Sequence, residues 1–147
     1  MSLKHRALPE HRRGSLKRLL EVRSGLRFLE AHNGLSAIVA NTAEVEALDG
    51  DTFGFDGLWE SSLTDSASKG LPDAEIVGVE SRLATIQEIL NVTDKPLIVD
   101  GDTGGDGVHF EYLCSKLEAM GASAVIVEDK QFPKRNSLET GVSQQLE

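Results

Sequence analysis

One cysteine, one tryptophan, one tyrosine and four prolines among 147 residues put several ways of building a protein out of reach. With Cys114 alone there is no disulfide framework, so a reducing, cytoplasmic compartment and a buried structural thiol are expected. No stretch approaches the roughly 20 apolar residues that cross a bilayer, and no apolar core of a secretory signal is present. Excess positive charge is missing too. Lys and Arg number 15 against 24 Asp and Glu, a net charge of −9, which argues against nucleic acid or an anionic membrane as partner of the body of the protein.

The charge that is present lies unevenly. Through Arg27 there are eight Lys or Arg against two Glu, and from Phe28 onward seven face twenty-two acids. An Arg-rich start such as His11-Arg12-Arg13 can look like an organellar transit peptide. The plainer reading is a basic arm and a solvated first helix, 15–22, whose cations lie near the acidic body. Two regions are therefore expected, an arm over 1–27 and a folded unit over 28–147. Hydrophobic residues, at 39%, suffice to give that unit a core.

Short apolar runs alternate with stretches of helical period, and each run ends in a polar or glycine-rich turn. This is the pattern of βαβ units on a parallel sheet. Strands are predicted over 26–31, 55–59, 96–100 and 124–127. A first crossover helix places Leu35, Ile38, Val39 and Val45 on one face; a second, over 75–90, aligns Val79, Leu83, Ile86 and Leu90. A third turns Phe110, Leu113, Leu117 and Met120 inward and is closed by Gly121. The Ser-rich segment 60–69 and the tail 131–147 read as loops. The expected class is α/β, about four parallel strands with crossover helices, as an open doubly wound sheet or an arc of a barrel.

Glu30, Trp59, Asp100 and Glu128 fall at or just beyond the carboxyl ends of successive strands, where both architectures build their sites. Asp100 and Asp102 flank a glycine, and Glu128 ends the neighbouring strand. Three hard oxygen ligands there suit Mg²⁺, although acidic strand ends also cap helices and Lys130 could balance part of the charge. The stretch 100–111 partly imitates a calcium-binding EF-hand loop, but Gly104 stands where an acid or amide is wanted and the preceding run is β-like. Gly101, Gly104, Gly105 and Gly107 could admit a small anion near the backbone or simply form a tight turn. Ser61, Ser62, Thr64, Ser66 and Ser68 could bind an anion through hydroxyls or serve as plain loop residues. No Ser/His/Asp triad has support in the spacing.

Five segments together, Glu30-Ala-His-Asn-Gly34, Trp59-Glu-Ser61-Ser-Leu63, Leu71-Pro-Asp73, Asp100-Gly-Asp102-Thr-Gly104 and Glu128-Asp-Lys-Gln-Phe-Pro-Lys134-Arg-Asn136-Ser137, resemble the phosphoenolpyruvate mutase branch of the isocitrate lyase superfamily. The resemblance runs from about Phe28 to Glu139. It implies the N-terminal half of a (β/α)₈ TIM-type barrel, since a complete barrel takes roughly 250 residues. It also implies Mg²⁺-dependent interconversion of phosphoenolpyruvate and phosphonopyruvate through a pyruvate enolate.

On that resemblance Asp100, Asp102 and Glu128 match the positions that hold Mg²⁺, directly or through water. Trp59, Ser61 and Leu63 match the segment against the substrate, the latter two acting largely through backbone amides. Asp73 matches a carboxylate close to the reacting centre. Lys134, Asn136 and Ser137 match a gating loop that closes over the phosphoryl group, and Asn136 favours the mutase over the phosphonopyruvate hydrolases. The superfamily's C–C lyases carry a cysteine-containing loop there, which this chain lacks. Family members continue for four more strands bearing a substrate-binding arginine and a histidine. The chain is therefore expected to be a fragment or truncated product, or to pair with a second copy or half as an oligomer. The non-enzymatic alternative is a mutase-like module that is inactive alone.

Overall fold

The computed structural model describes residues 7–135 and residue 141. In chain order the elements are α1 (Pro9–Arg13), α2 (Ser15–Val22), β1 (Phe28–Glu30), α3 (Gly34–Thr42), β2 (Glu44–Glu46), β3 (Thr52–Gly54), β4 (Gly57–Glu60), α4 (Ser62–Ser68), α5 (Val79–Leu90), β5 (Leu97–Asp100), α6 (Gly107–Met120) and β6 (Ala124–Ile126). Strands β1, β4, β5 and β6 form one parallel sheet in that spatial order, so each crossover leads to the next strand. The four expected strands are all present, each within the predicted stretch or one residue beyond it. Sequential order without a switch point is what an arc of a barrel requires.

Local chemistry explains where the helices begin and end. Asn33 and Ser36 form a reciprocal capping box at the start of α3: the Asn33 side chain accepts from the Ser36 N–H at 2.8 Å, and Ser36 Oγ accepts from the Asn33 N–H at 3.1 Å. Asp106 accepts from the Val108 N–H at 3.0 Å and so caps α6. At its other end Gly121 takes φ 91°, and a Cβ there would lie 2.6 Å from Pro9 Cα. Glycine thus turns the chain and lets the N-terminal arm pack closely. The core lies between sheet and helices, around the fully buried Leu58, Ile86, Ile89, Leu97, Val99 and Leu117.

Several expectations are corrected. Val45 belongs to no helix face: residues 44–46 and 52–54 form an antiparallel hairpin in which Val45 pairs with Phe53. The inward face of α3 is Ala37, Ala40 and Asn41, while Leu35 and Val39 are 72% and 59% exposed. A close helix contact selects small residues, whereas periodicity weights large ones. The serine-rich stretch is not all loop, because residues 62–68 make α4. Helix α5 starts only at Val79, since Glu75 adopts the left-handed φ of 54°. Cys114 is half-buried rather than buried.

The arm is not simply solvated either. Helix α2 lies as predicted, but Arg12 is buried, its Nη2 donating to the carbonyls of Ala7 (3.2 Å), Leu90 (3.1 Å) and Thr93 (2.9 Å). Among the described residues no helix is long and apolar enough to cross a membrane.

Candidate functional site

The carboxyl ends of β4, β5 and β6 converge on one buried ammonium. Lys134 Nζ is 2.6 Å from Asp102 Oδ1, 2.8 Å from Asp73 Oδ1, 3.0 Å from Ser62 Oγ and 3.5 Å from Glu128 Oε1. Its side chain is 1% exposed. Burial works against its charge, but Asp102 and Asp73 outweigh that and hold its pKa above the ordinary value. Asp73, Asp102, Glu128 and Lys134, predicted from three separate segments, therefore share one centre.

Asp100 and Asp102 do different jobs. Both oxygens of Asp100 face backbone or hydroxyl donors: Oδ2 accepts from the Ser62 N–H (3.2 Å) and hydroxyl (2.9 Å), and Oδ1 from the Asp102 N–H (3.0 Å). It ties the start of α4 to the loop after β5. Asp102 sits at φ 52°, a conformation unusual for a residue with a Cβ and common at functional loops. Its carbonyl accepts from the Glu128 N–H at 2.7 Å, which joins the ends of β5 and β6. Arg82 Nη1, on α5, lies 2.7 Å from Asp102 Oδ2 and donates to the Asp100 carbonyl at 2.7 Å. Burial pushes the Asp102 carboxyl up, but Arg82 and Lys134 outweigh it and hold it below its usual range. Glu128 Oε2 pairs with Lys130 at 2.9 Å.

Gly101 keeps this turn tight, since a Cβ there would come within 2.9 Å of Val125 Cγ1 and 3.1 Å of the Ile126 carbonyl. Glu75 adds a second brace. It accepts from the Thr103 N–H (3.1 Å) and hydroxyl (2.8 Å) through Oε1, and from the Lys134 N–H (3.3 Å) through Oε2. Trp59 is 39% exposed on the side of the sheet opposite Leu58. Ser61 and Leu63 bracket the first turn of α4, where amides have no intrahelical acceptor. Asn136 and Ser137 lie outside the described residues.

Among the described residues, no group of three or more His, Cys, Asp and Glu is arranged to hold a metal ion. The donor set nonetheless fits a divalent cation in kind. Asp73, Asp102, Glu128 and a serine hydroxyl already surround one positive charge, all with the hard oxygen ligands that Mg²⁺ takes. Lys134 supplies the positive charge among these oxygens, while the oxygens of Asp100 accept from Ser62 and from the Asp102 N–H.

Sequence reasoning missed Ser62 as a specific contact, and it missed Glu75, Arg82 and Glu60 altogether. Glu60 ends β4, is fully buried, and neither of its oxygens has a hydrogen-bond partner among the described residues. Burial pushes its carboxyl up to about 8, with Asp65, Asp100 and Asp102 adding to the effect and Arg82 opposing it. An acid at the end of a strand that otherwise reads as buried is the one signal that could have marked it.

The family model described as phosphoenolpyruvate phosphomutase matches residues 16–147. A phosphonopyruvate hydrolase from Variovorax sp. (strain Pal2) is 40% identical over 119 residues, covering 80% of this chain and 38% of the hydrolase. Among solved structures, phosphoenolpyruvate phosphomutase from Streptomyces platensis subsp. rosaceus superposes with a TM-score of 0.80 at 36% identity, over 92% of this chain and 44% of that one. A phosphonopyruvate hydrolase solved with oxalate and Mg²⁺ superposes with a TM-score of 0.67 at 35% identity, over 88% and 41% of the two chains. The chain thus spans less than half the length of each of these relatives. The parallel sheet corresponds to the N-terminal part of their TIM-type barrel.

Proposed function

Because the chain belongs to the phosphoenolpyruvate phosphomutase family, we propose that it carries the metal-side half of an active site that interconverts phosphoenolpyruvate and phosphonopyruvate in the cytoplasm. The observation that carries this reading is the convergence of Asp73, Asp102 and Glu128 on a single buried cation at the carboxyl ends of parallel strands. In the reaction the carbon–phosphorus bond of phosphonopyruvate breaks, the phosphoryl group is transferred, and a phosphorus–oxygen bond forms on the enolate oxygen of pyruvate. Asp102 and Glu128, with Asp100 behind them, would hold Mg²⁺; when bound, it supplies Lewis acidity to the oxygens of the 2-oxo acid.

The chain's own residues do the positioning. Trp59 packs against the three-carbon skeleton, and the first turn of α4 at Ser61 and Leu63 offers amides to its carboxylate. Asp73 stands beside the reacting centre. Lys134, followed in the sequence by Asn136 and Ser137, steadies the phosphoryl group in transit and keeps out water that would intercept it.

The 40% identity to a phosphonopyruvate hydrolase keeps hydrolysis to pyruvate and phosphate as a second reading. One experiment separates the two. Phosphonopyruvate is incubated with the purified chain and Mg²⁺ and followed by phosphorus NMR. Phosphoenolpyruvate is the expected product, inorganic phosphate with pyruvate would assign the hydrolase instead, and no turnover by a folded sample would overturn catalysis by this chain alone.

A further inference from the structure

We infer that Arg82 is the positioning residue of Asp102. From the proposed function this takes only the premise that Asp102 faces a cation. Leu58 and Glu60 are two residues apart on β4 and both fully buried, so they point to the same side, into the layer between sheet and helices. On α5, Arg82, Ile86 and Ile89 follow the i, i+4, i+7 spacing, and all three are buried on the helix face that packs against the sheet. A carboxyl group and a guanidinium thus both face the layer between sheet and helices.

The other charges nearby are already committed. Asp65 is occupied by Lys69 and by Thr85, whose hydroxyl donates to it at 2.9 Å. Lys134 is held by Asp73 and Asp102. The charge that opposes the upward push of burial on Glu60 is that of Arg82, with no hydrogen bond to either Glu60 oxygen among the described residues.

Arg82 also holds what Lys134 cannot hold permanently. Asp102 has an unusual backbone conformation, which persists only if its surroundings fix it. Its two oxygens are held from opposite directions: Oδ1 by Lys134, from the segment after β6, and Oδ2 by Arg82, from a helix anchored in the core. If the lysine leaves for substrate or yields to a divalent ion, Arg82 alone continues to aim the carboxylate. Its simultaneous bond to the Asp100 carbonyl fixes the guanidinium to the same turn.

Two readouts on the full chain test this. Acylation of lysines by an amine-reactive reagent without metal, quantified by mass spectrometry, reports whether Lys134 is still captured, with Lys69 as the internal reference for general loosening. Calorimetric titration with Mg²⁺ reports the aim of Asp102. At pH 9, where Glu60 is ionised, the double variant Arg82→Met with Glu60→Gln removes one charge of each sign, so a purely electrostatic role predicts unchanged Mg²⁺ affinity. Positioning predicts Lys134 labelling at least fivefold faster relative to Lys69 and Mg²⁺ bound about tenfold more weakly, with Arg82→Lys restoring both to within about twofold of the parent. A folded double variant with Lys134 still protected overturns the inference. If that variant does not fold, Arg82→Gln, which keeps a polar side chain at the position, is held to the same labelling criterion. A parent chain that binds no Mg²⁺ speaks against the proposed function, and the labelling result then decides the positioning role by itself.

Discussion

At the amino ends of the strands Arg12 is buried against the carbonyls of Ala7, Leu90 and Thr93; at the carboxyl ends Arg82 is buried against Asp102 and the Asp100 carbonyl, with Glu60 behind it. Both arginines are buried. The partners differ in kind. Arg12 answers neutral dipoles that helix α5 and the following turn leave exposed, and desolvation lowers its pKa with only Asp94 opposing. Around Arg82 burial also acts against the charge, but Asp102 and Glu60 more than reverse it, so its pKa is raised. One end of the sheet is closed with hydrogen bonds; the other concentrates carboxylates, strained backbone at Glu75 and Asp102, and orphaned oxygens on Glu60. That asymmetry is what a parallel sheet with its chemistry at one end requires.

The difference is broken most sharply at Lys134. Replacing it by Met leaves Asp73, Asp102 and Glu128 without their shared cation, and breaking a buried pair from one side costs about 3 kcal/mol. Urea denaturation without metal should show this loss. Mg²⁺ should then raise the melting temperature of Lys134→Met more than that of the parent, because the ion no longer competes with an ammonium. A variant indifferent to Mg²⁺ would mean that the carboxylates face only lysine. Variants at the Arg12 end should keep the parent's response to Mg²⁺ unchanged.

Titration gives a second contrast. Glu60 is pushed from its ordinary value of 4.5 up to about 8. An acid with a folded pKa above its unfolded one binds its proton more tightly when folded, so its contribution to stability is largest below pH 4.5 and is lost as pH rises towards 8. One such proton gives a slope of up to about 1.4 kcal/mol per pH unit. Denaturant midpoints measured from pH 5 to 8 should fall in the parent, and Glu60→Gln should flatten the fall. Asp102 has the opposite sign, since its carboxyl is held below its usual range and its contribution is lost only in acid.

How much of this the sequence revealed follows the same division. The four parallel strands and the acids Asp100, Asp102 and Glu128 were legible because apolar runs ending in acids form a local pattern, whereas Asp73 came only from the resemblance. That they share a site with Lys134 was implied only by the resemblance, which set the lysine over the phosphoryl group rather than among the carboxylates, since no spacing brings residues 73, 102, 128 and 134 together. Glu60 and Arg82 escaped because each breaks the rule by which its element is recognised. A strand that buries Leu58 should not bury a carboxylate two residues on, and on α5 the expected inward face was Val79, Leu83, Ile86 and Leu90, whereas the buried residues include Arg82. Such violations mark function when they occur in pairs of opposite charge. Arg12 was misread for a simpler reason: the dipoles it serves lie 78 and 81 residues away in the chain.

The smallest expected effect tests whether Arg12 is as undemanding as its partners suggest. All three of its bonds are made by one nitrogen, Nη2, to carbonyl oxygens. A lysine ammonium also carries three donors and needs no planar fork to use them. Arg12→Lys should therefore cost no more than about 1 kcal/mol, the net value of roughly one such bond, and should leave Mg²⁺ binding at the opposite end unchanged. Thermal melts and Mg²⁺ titrations of the two chains side by side would show it. A loss of Mg²⁺ affinity in Arg12→Lys would mean that the ends of the sheet are coupled through α5, whose last turn Arg12 holds and whose first turn carries Arg82.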